Sequence, residues 1–316
     1  MLSRTADHLY WMARYTERAE NLARMLDVNC RMTLLRQEEE VVRHRWTSTL
    51  ATVGQLEPFL AMRGHVTQAA AIDWISFEHS NPGSIEQCLD RARQNAHAVR
   101  GTLTSESWET LNGTWLEIRG FRRDVVSAQA LANFFEWVKF RSHLARGVIQ
   151  GTMLHDDALD FTWLGTYLER ADNTARILDA RFEMLASEAS RSDDAGDYYE
   201  WSALLRSVSA FEIYRKVYRD LITPRRVAEL LVLRDAMPRS LHHCMSRVHQ
   251  VLVKVGNERS TETLRRAGEI HAGLQYGLID DILAAGLRRY LSGFLVRTGD
   301  LGARIASDFL VSEAAA

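Results

Sequence analysis

The sequence predicts an all-α fold, a helical bundle built from two similar halves. Apolar residues recur at the spacing of helix faces along almost the whole chain, and no segment shows the regular alternation of a half-buried strand. Only 4 of the 316 residues are proline, as expected when most residues are helical. The third observation is a sequence pattern that occurs twice, which indicates that the helices form a duplicated unit.

The longer repeated pattern occupies residues 11–27 and returns at residues 163–179, with ten of its seventeen positions identical. A shorter pattern, Pro-x-Ser-x-x-x-Cys-x-x-Arg, occupies residues 82–91 and returns at residues 238–247. The offsets of 152 and 156 residues are nearly equal, and both are too long for the repeats of a solenoid. Two patterns in the same order at similar offsets therefore predict an internal duplication.

We predict a single domain over residues 1–316, in which the first repeat covers residues 1–150 and the second covers residues 151–316. An approximate twofold axis is expected to relate the two halves. The segment that joins them, around residues 150–160, is short and helix-prone, so the halves are expected to form one fused bundle.

In the first half, apolar spacing and capping residues predict helices over residues 5–38, 40–60, 67–77 and 128–150, one that ends near Gly101, and one that begins at Thr104 or Ser105. The helix that ends near Gly101 has two candidate starts. Asn81 could be its N-cap, with Pro82 at the first helical position. Alternatively, Ser84 and Gln87 could form a capping box one turn later.

In the second half, the same criteria predict helices over residues 158–188, 198–221, 225–236, 239–255, 261–284 and 286–312. Pro224 and Pro238 mark helix starts. Residues 187–196 are the most loop-like segment of the chain and are predicted to form a disordered tip, and residues 312–316 are predicted to fray.

The bulk composition excludes several functional classes. A net charge of −2 and the lack of a long basic run argue against nucleic acid as a partner. No stretch of 18 apolar residues predicts a membrane span, and the first residues do not form a signal peptide. The three cysteines form no paired motif, and Cys88 and Cys244 occupy equivalent repeat positions, so buried free thiols and a cytoplasmic location are expected.

The longer pattern divides into two helix faces. The apolar face carries aromatic residues in both copies, and these are Trp11, Tyr15, Trp163 and Tyr167. The polar face carries the same four residue types in both copies, and these are Glu17, Asn21, Arg24 and Asp27, then Glu169, Asn173, Arg176 and Asp179. Because duplicated halves diverge where nothing restrains them, the identical polar face predicts a helix that is enclosed on both sides or forms a site.

Two interpretations of this polar face remain open. In the first, the Glu-Arg pairs form a structural ion-pair network, helped by Glu20–Arg24 and Asp172–Arg176 at i, i+4 and by an Arg24–Asp27 pair at i, i+3. In the second, the same residues bind a ligand or a partner. Candidate catalytic residues are then Glu17 and Glu169. Candidate binding residues are Arg18, Asn21, Arg24, Asp27, Arg170, Asn173, Arg176, Asp179, Trp11, Tyr15, Trp163 and Tyr167.

If a twofold axis relates the halves, contacts across it should be reciprocal. Alanines spaced at i, i+4 in each copy leave small patches through which two helices can approach closely; these are Ala19, Ala23, Ala171 and Ala175. We therefore expect Glu17 to lie near Arg170, and Glu169 to lie near Arg18. Each guanidinium would then meet a carboxylate from the other half, which would offset its desolvation.

Nucleotide and metal motifs are missing from the sequence. There is no phosphate-binding GxxxxGK[ST] loop, no dinucleotide fingerprint and no HExxH. His242 and His243 are adjacent on a helix and point about 100° apart, so they do not form a convincing metal pair. The triplet at residues 155–157, His-Asp-Asp, most simply supplies acidic residues to a helix start. We expect no metal and no cofactor to be bound by this chain alone.

The residues that carry the longer pattern resemble a known family. Residues 9–21, LYWMARYTERAEN, the later LGTYLERAD at residues 164–172, and NPGSI at residues 81–85 are similar to the bacterial alpha-E domain family, a helical domain with a Glu-Arg motif. The resemblance runs from Met1 to about Leu310, and the doubled motif makes it specific.

The resemblance implies a partnership with a circularly permuted ATP-grasp protein, and a transglutaminase-like protein is a further implied partner. The expected function is therefore that of a partner or substrate-positioning subunit, with a Glu/Arg-lined site, in an ATP-grasp-linked peptide-bond-forming or peptide-modifying system. ATP and magnesium are implied only through the ATP-grasp partner. Two alternatives stay open, namely an enzyme in its own right, similar to an amide ligase or transferase, and a purely structural helical scaffold.

Overall fold

The computed structural model describes residues 1–33, 38–121, 127–188 and 194–310, with side chains described outside residues 183–188 and 194–197. These residues contain fifteen α-helices, one short 3-10 helix and no strand. The prediction of an all-α fold is therefore confirmed. Superposition of the two halves would test the predicted duplication and its twofold axis, which stay predictions.

The helices follow one another along the chain with short connections. The first seven are α1 (Ser3–Met32), α2 (Glu39–Thr52), α3 (Leu56–Arg63), α4 (Gln68–Ser76), α5 (Ile85–Ala98), α6 (Ser105–Ile118) and α7 (Ala128–Thr152). The others are α8 (Asp157–Glu188), α9 (Asp194–Ser207), α10 (Phe211–Tyr218), α11 (Pro224–Val232), α12 (Leu241–Val255), α13 (Thr261–Gln275), α14 (Ile279–Ala284) and α15 (Leu287–Phe309), with a 3-10 helix (Glu258–Ser260) before α13.

The contacts divide the chain into two compact units. The first unit is Tyr15–Met153, and the second unit is Met1–Arg14 together with Leu154–Ala316. Helix α1 thus contributes its N-terminal part to the second unit and the rest to the first. The predicted repeat boundaries at residues 150 and 151 stay predictions.

The first unit is built around an aromatic core. Its largest fully buried side chains are Trp46, Phe59, Trp74, Phe134 and Phe135. The rings of Phe59 and Trp74 meet edge to face, with centroids 5.7 Å apart, a favoured geometry for aromatic pairs. Helices α2 to α4 pack against one another on this core, and α6 packs against both α5 and α7.

The second unit is built around α8. This helix packs against α12 and α15, and α13 packs against α12 and α15 in turn. The buried aromatic residues Tyr214 and Phe294 and the aliphatic Leu159, Leu291 and Leu301 belong to its core. The apolar positions of α8 are therefore covered by long helices from the C-terminal part of the chain.

Several predicted helix starts are confirmed by their caps. Thr104 accepts a hydrogen bond at the N-terminus of α6, and Pro224 occupies the first turn of α11. The start predicted at Pro238 lies slightly too early, because α12 begins at Leu241 and Ser240 is its N-cap. The Asn81 start is wrong, because Ser84 caps α5 by accepting from the backbone N–H of Gln87. Asn81 instead makes a turn, since its Oδ1 accepts from the N–H of Gly83.

Several predicted helices are longer than the helices of the structure. The first helix ends at Met32 and does not reach residue 38. The segment 40–60 is broken at Gly54, which has a left-handed φ of 69° that suits glycine. The segment 198–221 is broken near Ser209, with a φ of 55°, and the segment 261–284 is broken at the extended Leu278. In the last three cases periodicity alone did not reveal the turn between two helices.

Two further predictions concern the ends of helices. The loop predicted over residues 187–196 is shorter in the structure, because α8 extends to Glu188 and α9 begins at Asp194. The predicted disorder of residues 189–193 and the predicted fraying of residues 312–316 lie outside the described residues.

Candidate polar site on the repeated helices

The polar face of α1 is buried in the first unit against basic residues of α7. Glu17 and Glu20 are only 1% and 0% exposed. Nη1 of Arg146 donates to Oε2 of Glu17 at 2.8 Å, and Nη2 of Arg146 forms an ion pair with Glu20. Nε of Arg24 donates to Oε1 of Glu20 at 2.7 Å, and Nε2 of His143 lies 3.2 Å from the same oxygen. Two carboxylates are thus balanced by two guanidinium groups.

The same pairing continues one turn further along α1. The buried Asp27 accepts from Nζ of Lys139 at 2.8 Å and from Nε of Arg31 at 2.9 Å. The predicted Arg24–Asp27 pair is wrong, because both residues have other partners, whereas the predicted Glu20–Arg24 pair is confirmed. Lysine, histidine and arginine at positions 139, 143 and 146 share one face of α7, and that face covers the acidic residues of α1.

The second copy of the polar face has a different environment. Oε2 of the buried Glu169 accepts from Nε of Arg14 at 2.7 Å. The predicted Asp172–Arg176 pair is confirmed at 2.7 Å, but it lies on the surface, where such a pair contributes little to stability. Asp179 lies 3.9 Å from Arg288 of α15. Identical residues therefore lie in a closed network in one unit and on a more open face in the other.

The two asparagines of the pattern differ in the same sense. Asn21 is buried in the first unit, whereas Asn173 is partly exposed in the second. The Nδ2 atom of Asn173 is itself buried and donates no hydrogen bond to any described residue. An amide donor of this kind is costly to bury unless a water or a ligand accepts its hydrogen.

Within the second unit, α1 and α8 approach each other at equivalent repeat positions. A Cβ atom added to Gly165 would clash with the carbonyl oxygen of Tyr10 and would lie 3.3 Å from Cβ of Ala13. The alanines predicted to permit close approach, Ala19, Ala23, Ala171 and Ala175, are fully buried. A close contact with the backbone of α1 is made by Gly165, two residues after Trp163.

The expected reciprocal pairs, Glu17–Arg170 and Glu169–Arg18, stay predictions. The ion pairs described inside the units join Glu17 to Arg146 and Glu169 to Arg14.

The other side of the motif helix brings the two repeated patterns together in the first unit. Tyr15 belongs to the longer pattern, and Arg91 belongs to the shorter one on α5. Nη1 of Arg91 donates to the hydroxyl of Tyr15 at 3.1 Å, and its guanidinium carbon lies 5.6 Å from the ring centroid. The guanidinium of Arg18 lies 5.7 Å from the same centroid. Two arginines therefore converge on one tyrosine.

The equivalent residues converge in the second unit. The guanidinium of Arg247 lies 5.8 Å from the ring centroid of Tyr167 and 5.5 Å from that of Trp163. Arg170 lies 5.4 Å from the ring of Tyr167, and its Nη1 donates to the carbonyl of Pro238 at 3.5 Å. Within its own unit, Arg170 thus contacts a backbone carbonyl.

The last aromatic candidate, Trp11, lies beside a different cation. The guanidinium carbon of Arg14 lies 5.1 Å from the Trp11 ring centroid, and Nη1 of Arg14 donates to the hydroxyl of Tyr10 at 3.2 Å. Because the same Arg14 binds Glu169, this arginine joins the aromatic face of α1 to the acidic residue of α8.

Sequence reasoning missed the residues that come from outside the longer pattern. Arg146, His143 and Lys139 carry no motif signal, and only their spacing on one face of α7 could have singled them out. Arg91 and Arg247 did carry a signal, because they are the last identical positions of the shorter pattern. Their role could not be deduced, since nothing in the sequence places α5 beside α1 or α12 beside α8.

A histidine cluster lies between α12 and α13. The rings of His249 and His271 stack with centroids 5.1 Å apart, and the ring of His242 lies 5.8 Å from His271. Burial and these two neighbouring rings lower the pKa of His271, and the charge of Asp235 opposes that shift. His242 also contacts the carbonyl of Leu233 through Nδ1 at 2.9 Å.

Searches of the described residues for two other features gave no example. No group of three histidine, cysteine or acidic side chains in this part of the chain is arranged to hold a metal ion. None of the helices over the described ranges has both the length and the apolar composition of a membrane-spanning helix.

The fold is all-α, and each of its two longest helices, of 30 and 32 residues, carries a Glu-Arg pair. These two features place the chain in a class of helical domains with a Glu-Arg motif. Residues 1–310 match the Alpha-E family, described as a predicted alpha-helical domain with a conserved ER motif. The chain belongs to the Alpha-E family. The two Glu-Arg pairs are Glu17–Arg18 and Glu169–Arg170.

Curated relatives are found in mycobacteria. The chain is 24% identical over 322 residues to uncharacterized proteins of Mycobacterium bovis and of two strains of Mycobacterium tuberculosis. The matched region is 92% of this chain and 35% of each relative, so the chain spans about a third of the length of those proteins. No solved structure matches the chain.

Proposed function

We propose that this chain is the helical partner or substrate-positioning component of an ATP-grasp-linked system that forms or modifies peptide bonds in the cytoplasm. The observation that carries the proposal is the length of the mycobacterial relatives. Since the matched region is only 35% of each relative, an Alpha-E region occurs beside a larger share of other sequence in one polypeptide. A region of that kind is suited to work with a partner, here a circularly permuted ATP-grasp protein.

The sequence motifs indicate which protein would bind ATP and which would bind the substrate. The sequence contains no phosphate-binding loop, so ATP and magnesium are assigned to the ATP-grasp partner. A transglutaminase-like protein is the second proposed partner, acting on the same peptide or its product. In this scheme the helical chain supplies binding and orientation, which contribute strongly to the rate of a bond-forming reaction.

The geometry supports different roles for the two sides of the motif helix. Glu17 is 1% exposed and is held by Arg146, a poor arrangement for a group that must exchange protons with a substrate. Among the arginines at Tyr15 and Tyr167, Arg18, Arg91 and Arg247 are partly exposed and present guanidinium donors, whereas Arg170 is buried. We therefore assign positioning to the arginine–tyrosine side and a structural role to the buried Glu17 pair, and we favour this assignment over catalysis by the glutamates.

Co-expression of the chain with a circularly permuted ATP-grasp protein, followed by affinity purification and mass analysis, tests the proposal. We expect the two to co-purify, and we expect ATP-dependent mass gain on an amino-acid or peptide acceptor only when both are present. The matched controls are each protein alone. Robust ATP turnover by the isolated helical chain would instead identify an enzyme in its own right.

A structural scaffold is the second candidate, and the closed network of Glu17, Glu20, Arg24 and Arg146 favours it. Such a network needs no ligand to balance its charges. The same co-expression experiment separates the candidates, because a scaffold would co-purify with the partner while leaving the yield of product unchanged.

A further inference from the structure

Each unit contains an arginine whose charge is not balanced by any carboxylate of the residues that the structure describes. Arg91 and Arg247 are partly buried, and no described carboxylate lies within ion-pair distance of either guanidinium. Partly buried arginines on α1 and α7 differ, because Arg14, Arg24 and Arg146 each have a carboxylate oxygen within 2.8 Å. A partly desolvated guanidinium without a counter-charge is unfavourable, so this difference requires an explanation.

The two arginines occupy equivalent places in the repeat and in space. Each is the last identical position of the shorter pattern, and each lies within 6 Å of the ring of the motif tyrosine, Tyr15 or Tyr167. In each case the arginine of the Glu-Arg pair lies over the same ring. Because the arrangement occurs twice, from residues that are identical in both copies, a chance surface contact does not account for it.

Contacts within the protein use few of the available hydrogen-bond donors. A guanidinium has five N–H donors. Arg91 uses Nη1 for the Tyr15 hydroxyl, and Arg247 uses Nη1 for Oε1 of Gln250 at 3.2 Å. The attraction between each guanidinium and an aromatic face is weak at a partly exposed site. Packing against tyrosine alone therefore leaves most of the donors and most of the positive charge for another group.

We propose that each unit binds one oxyanion, a carboxylate or a phosphate group, through Arg91 beside Tyr15 in the first unit and through Arg247 beside Tyr167 in the second. Planar carboxylates and phosphates match the fork of a guanidinium and form short, charge-assisted hydrogen bonds with it. The Tyr167 hydroxyl is a further donor in the second unit. The chain thus has two equivalent anion sites, one for each copy of the repeat.

This inference deepens the proposed function and rests on it for the natural source of the anion. A carboxylate would come from an amino acid or a peptide acceptor, whereas a phosphate would come from an acyl phosphate or a nucleotide. Anion binding is measured on the helical chain alone, and the proposed function is measured with the ATP-grasp partner. Failure of one is therefore distinguishable from failure of the other.

Isothermal titration of the full chain with inorganic phosphate and, separately, with glutarate tests the inference at constant ionic strength in chloride. Saturable binding of at least one anion to two sites per chain is the expected result, and the anion that binds more tightly identifies the source. Arg91→Gln and Arg247→Gln should each leave one site, and the double variant should leave none. Arg304→Gln, which removes an exposed arginine paired with Asp300, should keep both sites.

Arginine-to-lysine variants separate a loss of anion binding from a loss of folding. Arg91→Lys and Arg247→Lys preserve the positive charge but lose the planar fork, so affinity at the altered site should fall by about tenfold while the circular dichroism spectrum is retained. No saturable binding of either anion by the wild-type chain would overturn the inference. Two sites that persist in a folded double glutamine variant would overturn it equally.

Discussion

Among the described glycines of the second unit, Gly165 leaves the least room for an added Cβ atom. In an ordinary helix interior, Gly→Ala stabilises by about 1 kcal/mol through helix propensity. At Gly165 the added Cβ would collide with the carbonyl oxygen of Tyr10 and would lie 3.1 Å from its carbonyl carbon. These are backbone atoms of α1, which cannot rotate away as a side chain could.

The expected change in the free energy of unfolding is the difference between the cost of overpacking and the gain in helix propensity. Overpacking of a well-packed contact costs about 1–3 kcal/mol, and backbone must shift here, so the upper part of that range applies. After subtraction of the propensity gain, Gly165→Ala should lower the free energy of unfolding by about 1–2 kcal/mol. For a unit of this size the melting temperature should fall by about 2–8 °C.

Urea-induced unfolding followed by circular dichroism measures this change. Gly299→Ala is the matched control, because Gly299 also lies inside a long helix of the second unit but an added Cβ would meet nothing within 4 Å. That variant should be stabilised by about 0.5–1 kcal/mol. If Gly165→Ala is as stable as Gly299→Ala, the close approach of α1 and α8 that we describe is refuted.

Three further outcomes are expected. Glu17→Ala should cost about 3 kcal/mol of unfolding free energy in a urea titration, because it leaves Arg146 without one of its buried partners; a loss below about 0.5 kcal/mol would contradict a structural role. Burial and the neighbouring His249 lower the pKa of His271 in the folded protein. As the pH falls, the unfolded chain therefore takes up a proton at this histidine before the folded protein does. Stability should therefore fall as the pH drops below about 6.5, and His271→Gln should reduce that loss in melts from pH 7 to 5. Burial and the charge of Asp27 raise the pKa of Cys30 to about 12, so this thiol should not react with a disulfide reagent at pH 8 in the native chain, yet should react in denaturant.

The helical fold could be predicted largely from local sequence. Periodicity and caps such as Thr104 and Ser240 are local properties, since a hydroxyl that accepts from the backbone three residues later needs no tertiary contact. The N-cap of α5 could not be predicted locally, because the side chains of both Asn81 and Ser84 can accept a hydrogen bond from the backbone at a helix start. The carbonyl of Trp74, seven residues earlier, accepts from Nδ2 of Asn81 and holds that residue in a turn.

The candidate site was predicted only in part, for a physical reason. The repeat singled out Glu17 and Tyr15, because restraint on both faces of a helix leaves identical residues in both copies. The partners of these side chains come from helices about 75 and 130 residues further along the chain, in Arg91 and Arg146. No local property of a sequence determines which distant helix packs on which face.

The sequence by itself determined the all-α class, the two Glu-Arg pairs and the residues that the copies share. Only the tertiary structure decided that Arg24 is largely enclosed in the network with α7 while its counterpart Arg176 remains at the surface. The copies carry the same polar residues, so the difference arises from the helices that pack on them. Burial and electrostatic pairing depend on all neighbouring atoms, and those neighbours are fixed by the fold of the whole unit.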